Sequence, residues 1–148
     1  MAKIPIGIQL YSVREECEKD LPKVLAAVKK AGYEGVEYDG YYGRGAGELK
    51  GLQDQYGLKC CGTHIGLDAL LGDQLQKTIE FNKILGNKYL VVPGLGKDRT
   101  NSIAAWTATA KLFGEIAARA KPSGMKVGYH NHSSEFRKME GQVPWEVF

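Results

Sequence analysis

Apolar positions along this chain fall into two alternating rhythms. A short apolar run over Ile4–Tyr11 predicts a strand, and Leu21, Val24, Leu25 and Val28 then recur at helical spacing. Asp20 stands where that helix needs an N-cap, and Pro22 falls near its first turn, where a missing N–H costs little. The alternation continues with helices expected over about Gly45–Tyr56, Asp73–Leu85 and Asn101–Lys121. Leu75, Ile79 and the Phe81-to-Leu85 stretch give the third helix its apolar face. Ile103, Trp106, Ala110, Phe113 and Ile116 do the same for the fourth. Each helix ends near a glycine (Gly32, Gly57, Gly86, Gly124), and an apolar strand begins two or three residues later. A glycine past a helix end supplies the left-handed residue that closes the last turn.

The predicted order is five strands with four helices between them. Such alternation requires parallel pairing and right-handed crossovers, and leaves a doubly wound sheet or a (β/α) barrel. Gln9 and Tyr11, Glu37 and Tyr38, His64, and His130 with His132 all lie at or just past the strands' C-terminal ends. Polar residues converging from several strand ends match the face on which barrels keep their chemistry. A doubly wound fold would instead call for a glycine-rich phosphate loop. Gly43-Arg44-Gly45-Ala46-Gly47 has Glu48 in place of the third glycine and follows the wrong strand, and Gly94-Leu95-Gly96-Lys97 lacks the upstream glycine of a P-loop. The expected fold class is therefore α/β, a partial barrel of the TIM type with about five strands and four helices, forming one domain over residues 1–148.

Composition narrows the class. The chain has 148 residues, 43% of them hydrophobic and 25% charged, as in an ordinary soluble domain. The net charge of +3 is spread without a basic block, so nucleic acid is not the expected partner. No apolar run reaches the roughly 18 residues of a membrane helix, and Met1-Ala2-Lys3-Ile4-Pro5 lacks the pattern of a secretory signal. Three cysteines, an odd number, read as free thiols of a cytoplasmic protein. The vicinal Cys60-Cys61 could bind a soft metal, or could simply fill a buried strand.

The densest chemistry lies in Tyr129-His130-Asn131-His132-Ser133-Ser134-Glu135-Phe136. Residues two apart on a strand face the same side, so His130 and His132 share one face, with Glu135 where the strand gives way to its loop. Two imidazoles and a carboxylate suit a divalent metal, or equally an acid/base group with an orienting partner. Either histidine alone could instead be a packed residue bonded to a backbone carbonyl. His64 closes its strand and precedes Gly66 by two residues, leaving room for a ligand or a capping role. Glu37 is a charge inside an otherwise apolar strand, costly unless it is paired or faces a pocket. Gln9 and Tyr11 could hydrogen-bond a polyol.

Taken together, Ile6-Gly7-Ile8-Gln9-Leu10-Tyr11-Ser12-Val13-Arg14, Gly32-Tyr33-Glu34-Gly35-Val36-Glu37-Tyr38, Thr63-His64-Ile65-Gly66 and the Gly128-to-Phe136 segment resemble the sugar phosphate isomerase/epimerase family of xylose-isomerase-like TIM barrels. The resemblance runs over essentially the whole chain. It implies a divalent metal (Mn, Mg, Co or Zn) at the barrel mouth, polarising a sugar oxygen while a proton moves on the adjacent carbon. Carried over, Glu135 becomes the metal carboxylate and His130 and His132 the catalytic groups, while Glu37, His64, Gln9 and Tyr11 line a sugar or polyol site. A full barrel takes about 250 residues, so the chain is expected to be incomplete within its fifth βα unit. Bare edges on its first and last strands favour a homo-oligomer. The alternatives are a non-catalytic half-barrel that binds or self-assembles, and a relative of abasic-site endonucleases.

Overall fold

A computed structural model describes residues 4–148, so Met1–Lys3 of the N-terminal pentapeptide lie outside the described residues. Five strands, β1 (Gly7–Gln9), β2 (Gly35–Asp39), β3 (Lys59–His64), β4 (Tyr89–Val92) and β5 (Lys126–Tyr129), form one parallel sheet in the order β1-β2-β3-β4-β5. Between them run α1 (Arg14–Lys30), α2 (Ala46–Tyr56), α3 (Gln74–Ile84) and α4 (Ile103–Ala120), and a short α5 (Pro144–Val147) follows β5. Strand order equal to chain order, without the reversal of a doubly wound sheet, makes this the arc of a (β/α) barrel. The arc is open between β1 and β5.

Helix termini lie close to their sequence signals. Gly32, Gly57, Gly86 and Gly124 all take positive φ, from +60° to +96°. Ser102 caps α4 by accepting from the Ala105 N–H at 3.1 Å. Asp20 has non-helical backbone angles inside α1, and its Oδ1 accepts from the Lys23 N–H at 3.0 Å. It therefore caps the expected Pro22 helix, while an additional helical segment from Arg14 precedes the kink. The first strand is shorter than Ile4–Tyr11. Pro5 has no N–H for a ladder, and the Gln9 side chain accepts from the Tyr11 N–H, turning the chain into a 3₁₀ turn over Leu10–Val13.

The helices cover one face of the sheet. Val36 and Tyr38 pack with Leu21, Leu25 and Leu49, and Leu90 and Val92 with Leu75, Ile79, Phe113 and Ile116. Tyr38, met in the sequence beside Glu37 as a strand-end polar residue, is fully buried on this helix side. On α4, Ala110 is only half-buried and Thr109 takes the inward position, its hydroxyl donating to the Arg99 carbonyl at 3.2 Å.

Strand β3 carries one extra residue. Val36 pairs with Cys60 but Glu37 pairs with Gly62, so Cys61 is a bulge without a partner on β2. A one-residue shift exchanges the faces of every later side chain. Cys60 thus packs on the helix side while Cys61 is exposed on the opposite face, above Gly7 and Gly35. A Cβ at Gly35 would stand 2.9 Å from the Lys59 carbonyl oxygen, a backbone atom fixed in the sheet. Gly35→Ala is expected to cost about 1–3 kcal/mol through this overpacking, read as a lower denaturation midpoint with an unchanged m-value; unaltered stability would disprove the constraint.

Candidate functional site

The face opposite the helices opens, at the C-terminal ends of the strands, into a cavity of about 520 Å³. Gln9 reaches it from β1, Glu37 and Asp39 from β2, His64 from β3, and His130 and His132 from the end of β5. The spacing follows from strand geometry, since Glu37 and Asp39 are two residues apart and register with Gln9 and His64 respectively. The His130 N–H donates to the Val92 carbonyl at 2.9 Å, extending β5 by one rung and fixing the base of the histidine pair. Tyr11 and Ser12 from the turn after β1, with Pro93 after β4, complete the lining. Six of the seven predicted site residues therefore meet at one cavity. Asp39, Ser12 and Pro93 were missed; the two-residue repeat from Glu37 is the signal that could have found Asp39.

Inside the cavity His64 is the hub. Gln9 Nε2 lies 3.0 Å from His64 Nδ1, and Glu37 Oε2 lies 3.6 Å from His64 Nε2. The His64 ring meets the His130 ring edge-on with centroids 5.1 Å apart, and His130 meets His132 at 4.8 Å. A Cβ at Gly62 would collide with the Glu37 carboxylate, so the glycine after the bulge makes that carboxylate's position possible. Burial holds the His64 pKa below its ordinary 6.5, with His130 acting in the same direction and the Glu37 and Asp39 charges opposing. His64 is thus neutral where an exposed histidine would still carry charge.

Glu135 is placed elsewhere. It is buried beside a second, smaller cleft of about 210 Å³, lined also by Trp106, Tyr129 and Met139 and sharing His132 with the main cavity. Its Oε1 accepts from the Tyr129 hydroxyl at 2.5 Å, and its Oε2 from the His132 N–H and the Ser134 hydroxyl, each at 2.9 Å. Burial alone would raise the Glu135 pKa, but these donors hold it below the usual carboxylate value. Tyr129 in turn packs against Trp106, Phe113 and Phe148 on the helix side. The carboxylate therefore anchors the loop that carries His132. Among the described residues no group of three or more His, Cys, Asp and Glu side chains is arranged to hold a metal ion. The donor set present here does not by itself fit the metal that the resemblance implies.

Comparison with known proteins agrees with this architecture. The model of the xylose isomerase-like TIM barrel family matches residues 25–143, and the chain belongs to that family. A sugar phosphate isomerase/epimerase from Parabacteroides distasonis is similar at 25% identity and a TM-score of 0.76, over 99% of this chain and 61% of that one. An AP endonuclease of family 2 from Brucella melitensis shares the fold at 17% identity and a TM-score of 0.62, over 85% of this chain and 55% of that one. A xylose isomerase domain protein from Alicyclobacillus acidocaldarius shares it at 14% identity and a TM-score of 0.60, over 98% and 60%. The chain thus spans about three fifths of the length of the first of these structures. No curated protein matches it.

Two outcomes are expected from these contacts. Tyr129→Phe leaves a buried carboxylate oxygen without its donor and should cost about 1.5–3 kcal/mol. Because the Glu135 pKa is depressed on folding, its contribution is present above the ordinary 4.5 and disappears as pH falls through the folded value. The variant should accordingly lose stability at a higher pH than the parent on acid titration, and coincident curves would contradict the anchoring role. For His64 the unfolded chain takes up a proton first, so stability should decline as pH falls from near 6.5. Urea midpoints across that range should fall less steeply in His64→Gln than in the parent.

Proposed function

We propose that this chain supplies the β1–β5 wall of a sugar or sugar phosphate isomerase/epimerase site, in which a proton is removed from the carbon beside a sugar carbonyl and returned. The observation that carries the reading is the convergence of Gln9, Glu37, His64, His130 and His132 on one cavity at the strands' C-terminal ends. A polyhydroxylated ligand needs many short polar contacts on an otherwise rigid wall, and the cavity offers amide, carboxylate and imidazole groups from three strands and the end of a fourth. In this reading His130 and His132 move the proton, and Gln9, Tyr11, Glu37 and His64 hold the hydroxyls. General acid–base groups of this kind contribute typically 10²–10⁴-fold.

A divalent metal remains part of the proposal, although Glu135, the carboxylate the resemblance implies, is engaged by Tyr129, His132 and Ser134 outside the main cavity and would not hold it as placed. Further donors would have to come from whatever packs against the open edges of β1 and β5, and we propose a second copy of the chain there. Unpaired strand edges are templates for such association. Ile4 and Ile6, 81% and 62% exposed just before β1, add apolar surface on that side. The reading places the protein in the cytoplasm, supported by three free thiols and by the lack, among the described residues, of any helix long and apolar enough to cross a membrane.

The lack, among the described residues, of a metal-holding group favours a second reading, a half-barrel that binds a sugar without turning it over. Solvent-deuterium exchange separates the two. The protein is incubated in D₂O with a panel of ketoses and ketose phosphates, with and without Mn²⁺, and label is sought on the carbon beside the carbonyl. Metal-dependent exchange that falls about 100-fold in His130→Ala or His132→Ala is the expected result. Sugar binding that survives EDTA, with no exchange under any condition, would sink the isomerase reading in favour of the binding module. Nicking of abasic DNA would point to the endonuclease branch, which the dispersed charge of +3 does not favour.

A further inference from the structure

We infer that Gln9 is a positioning residue that fixes the tautomer of His64, so that His64 presents its Nε2–H to the cavity as a neutral hydrogen-bond donor. The argument runs through a chain of bonds whose direction is set at one end by the backbone. The Tyr11 N–H can only donate, and it donates to Gln9 Oε1. The amide oxygen is thereby committed, and the amide nitrogen is the atom turned toward His64 Nδ1 at 3.0 Å. That nitrogen also can only donate, so Nδ1 must accept. A neutral imidazole that accepts at Nδ1 carries its proton on Nε2.

The other end of the chain agrees. Nε2 faces Glu37 Oε2, an acceptor, at 3.6 Å. A carboxylate there favours a proton on Nε2 over a lone pair, yet the separation is longer than a hydrogen bond. The proton is therefore drawn toward the cavity without being used up by Glu37. The charged and titratable groups around the ring are Glu37 and Asp39 from β2 and His130 from β5. Gln9 is neutral and cannot change its role with pH. The backbone turn after β1 thus does double service, ending the strand and orienting the amide.

The consequence deepens the proposed function and rests on its reading of the cavity as the ligand site. His64 selects, at its position, a ligand oxygen that accepts a hydrogen bond, such as a carbonyl or a ring oxygen, over a group that must donate. Gln9 can still meet a ligand hydroxyl with its second amide N–H, but it does not make this selection itself. Its effect passes through His64.

The tautomer is a property of the ligand-free protein, so the test does not depend on whether the protein is an isomerase. Long-range ¹H–¹⁵N correlation on ¹⁵N-histidine-labelled protein, above the His64 titration, reads which ring nitrogen is protonated, with His64→Gln assigning the signal. The expected spectrum shows an unprotonated Nδ1 and a protonated Nε2. Gln9→Glu replaces the donor with an acceptor and should invert the pattern to a protonated Nδ1. Should that variant fail to fold, Gln9→Asn, whose shorter amide cannot span to Nδ1, should give a mixture of tautomers. A protonated Nδ1 in the parent overturns the inference. So does a spectrum unchanged in the folded Gln9 variants, even with a lowered melting temperature, because Gln9 would then be only structural.

Discussion

The cavity depends on a single extra residue in β3. From Lys59, opposite Gly35, an unbroken β3 would direct Cys61 and Thr63 to the cavity face and His64 to the helices. Cys61 breaks that parity. Beyond it Gly62 stands opposite Glu37 and His64 opposite Asp39, which brings the imidazole to the same side as the carboxylates. Thr63 moves to the helix side, where its hydroxyl donates to Asn82 Oδ1 at 3.1 Å and accepts from Asn87 Nδ2 at 3.2 Å. The bulge thus sets the cavity chemistry and the buried polar network behind it at once. Three glycines make room for it: Gly7 and Gly35 beneath the Cys61 sulfur, and Gly62 under the Glu37 carboxylate.

On the far side of the cavity, polar chemistry is held by an aromatic wall. Tyr129 belongs to β5 but faces the helices, among Trp106, Phe113 and Phe148. Its hydroxyl is the polar end of an otherwise apolar ring, and it is satisfied by Glu135. Glu135 closes a short loop back onto the His132 N–H. The position of His132 is therefore transmitted from the helix-side core through one carboxylate. This explains why a charged group in so chemistry-rich a segment is buried away from the main cavity.

The two halves of the cavity differ in exposure for a physical reason. Gln9, Glu37 and His64 are tied into the sheet and to one another, and His64 is buried. His130 and His132 stand past the end of β5, exposed, beside the open side of the arc. A wall tied into the sheet and an exposed histidine pair at its edge thus share one cavity.

Much of this was legible in the residues themselves. The alternation of helical and strand rhythms, closed by Gly32, Gly57, Gly86 and Gly124, fixes the element order because each rhythm answers to one backbone geometry. Strand-end positions of Gln9, Glu37, His64, His130 and His132 indicated where the chemistry gathers, because parallel strands put their C-terminal ends on one side. Tertiary structure decided the rest. Which face His64 occupies turns on a bulge that leaves no trace in composition or period. Whether Glu135 meets the cavity or the core turns on Tyr129, six residues away, whose orientation follows from the pleat of β5 and the aromatic residues of α4. The direction of the Gln9–His64 bond follows from a backbone N–H in a turn that ends the strand earlier than its apolar pattern implied. Sequence period assigns a residue to an element, but only the packed sheet determines the partner its polar atoms meet.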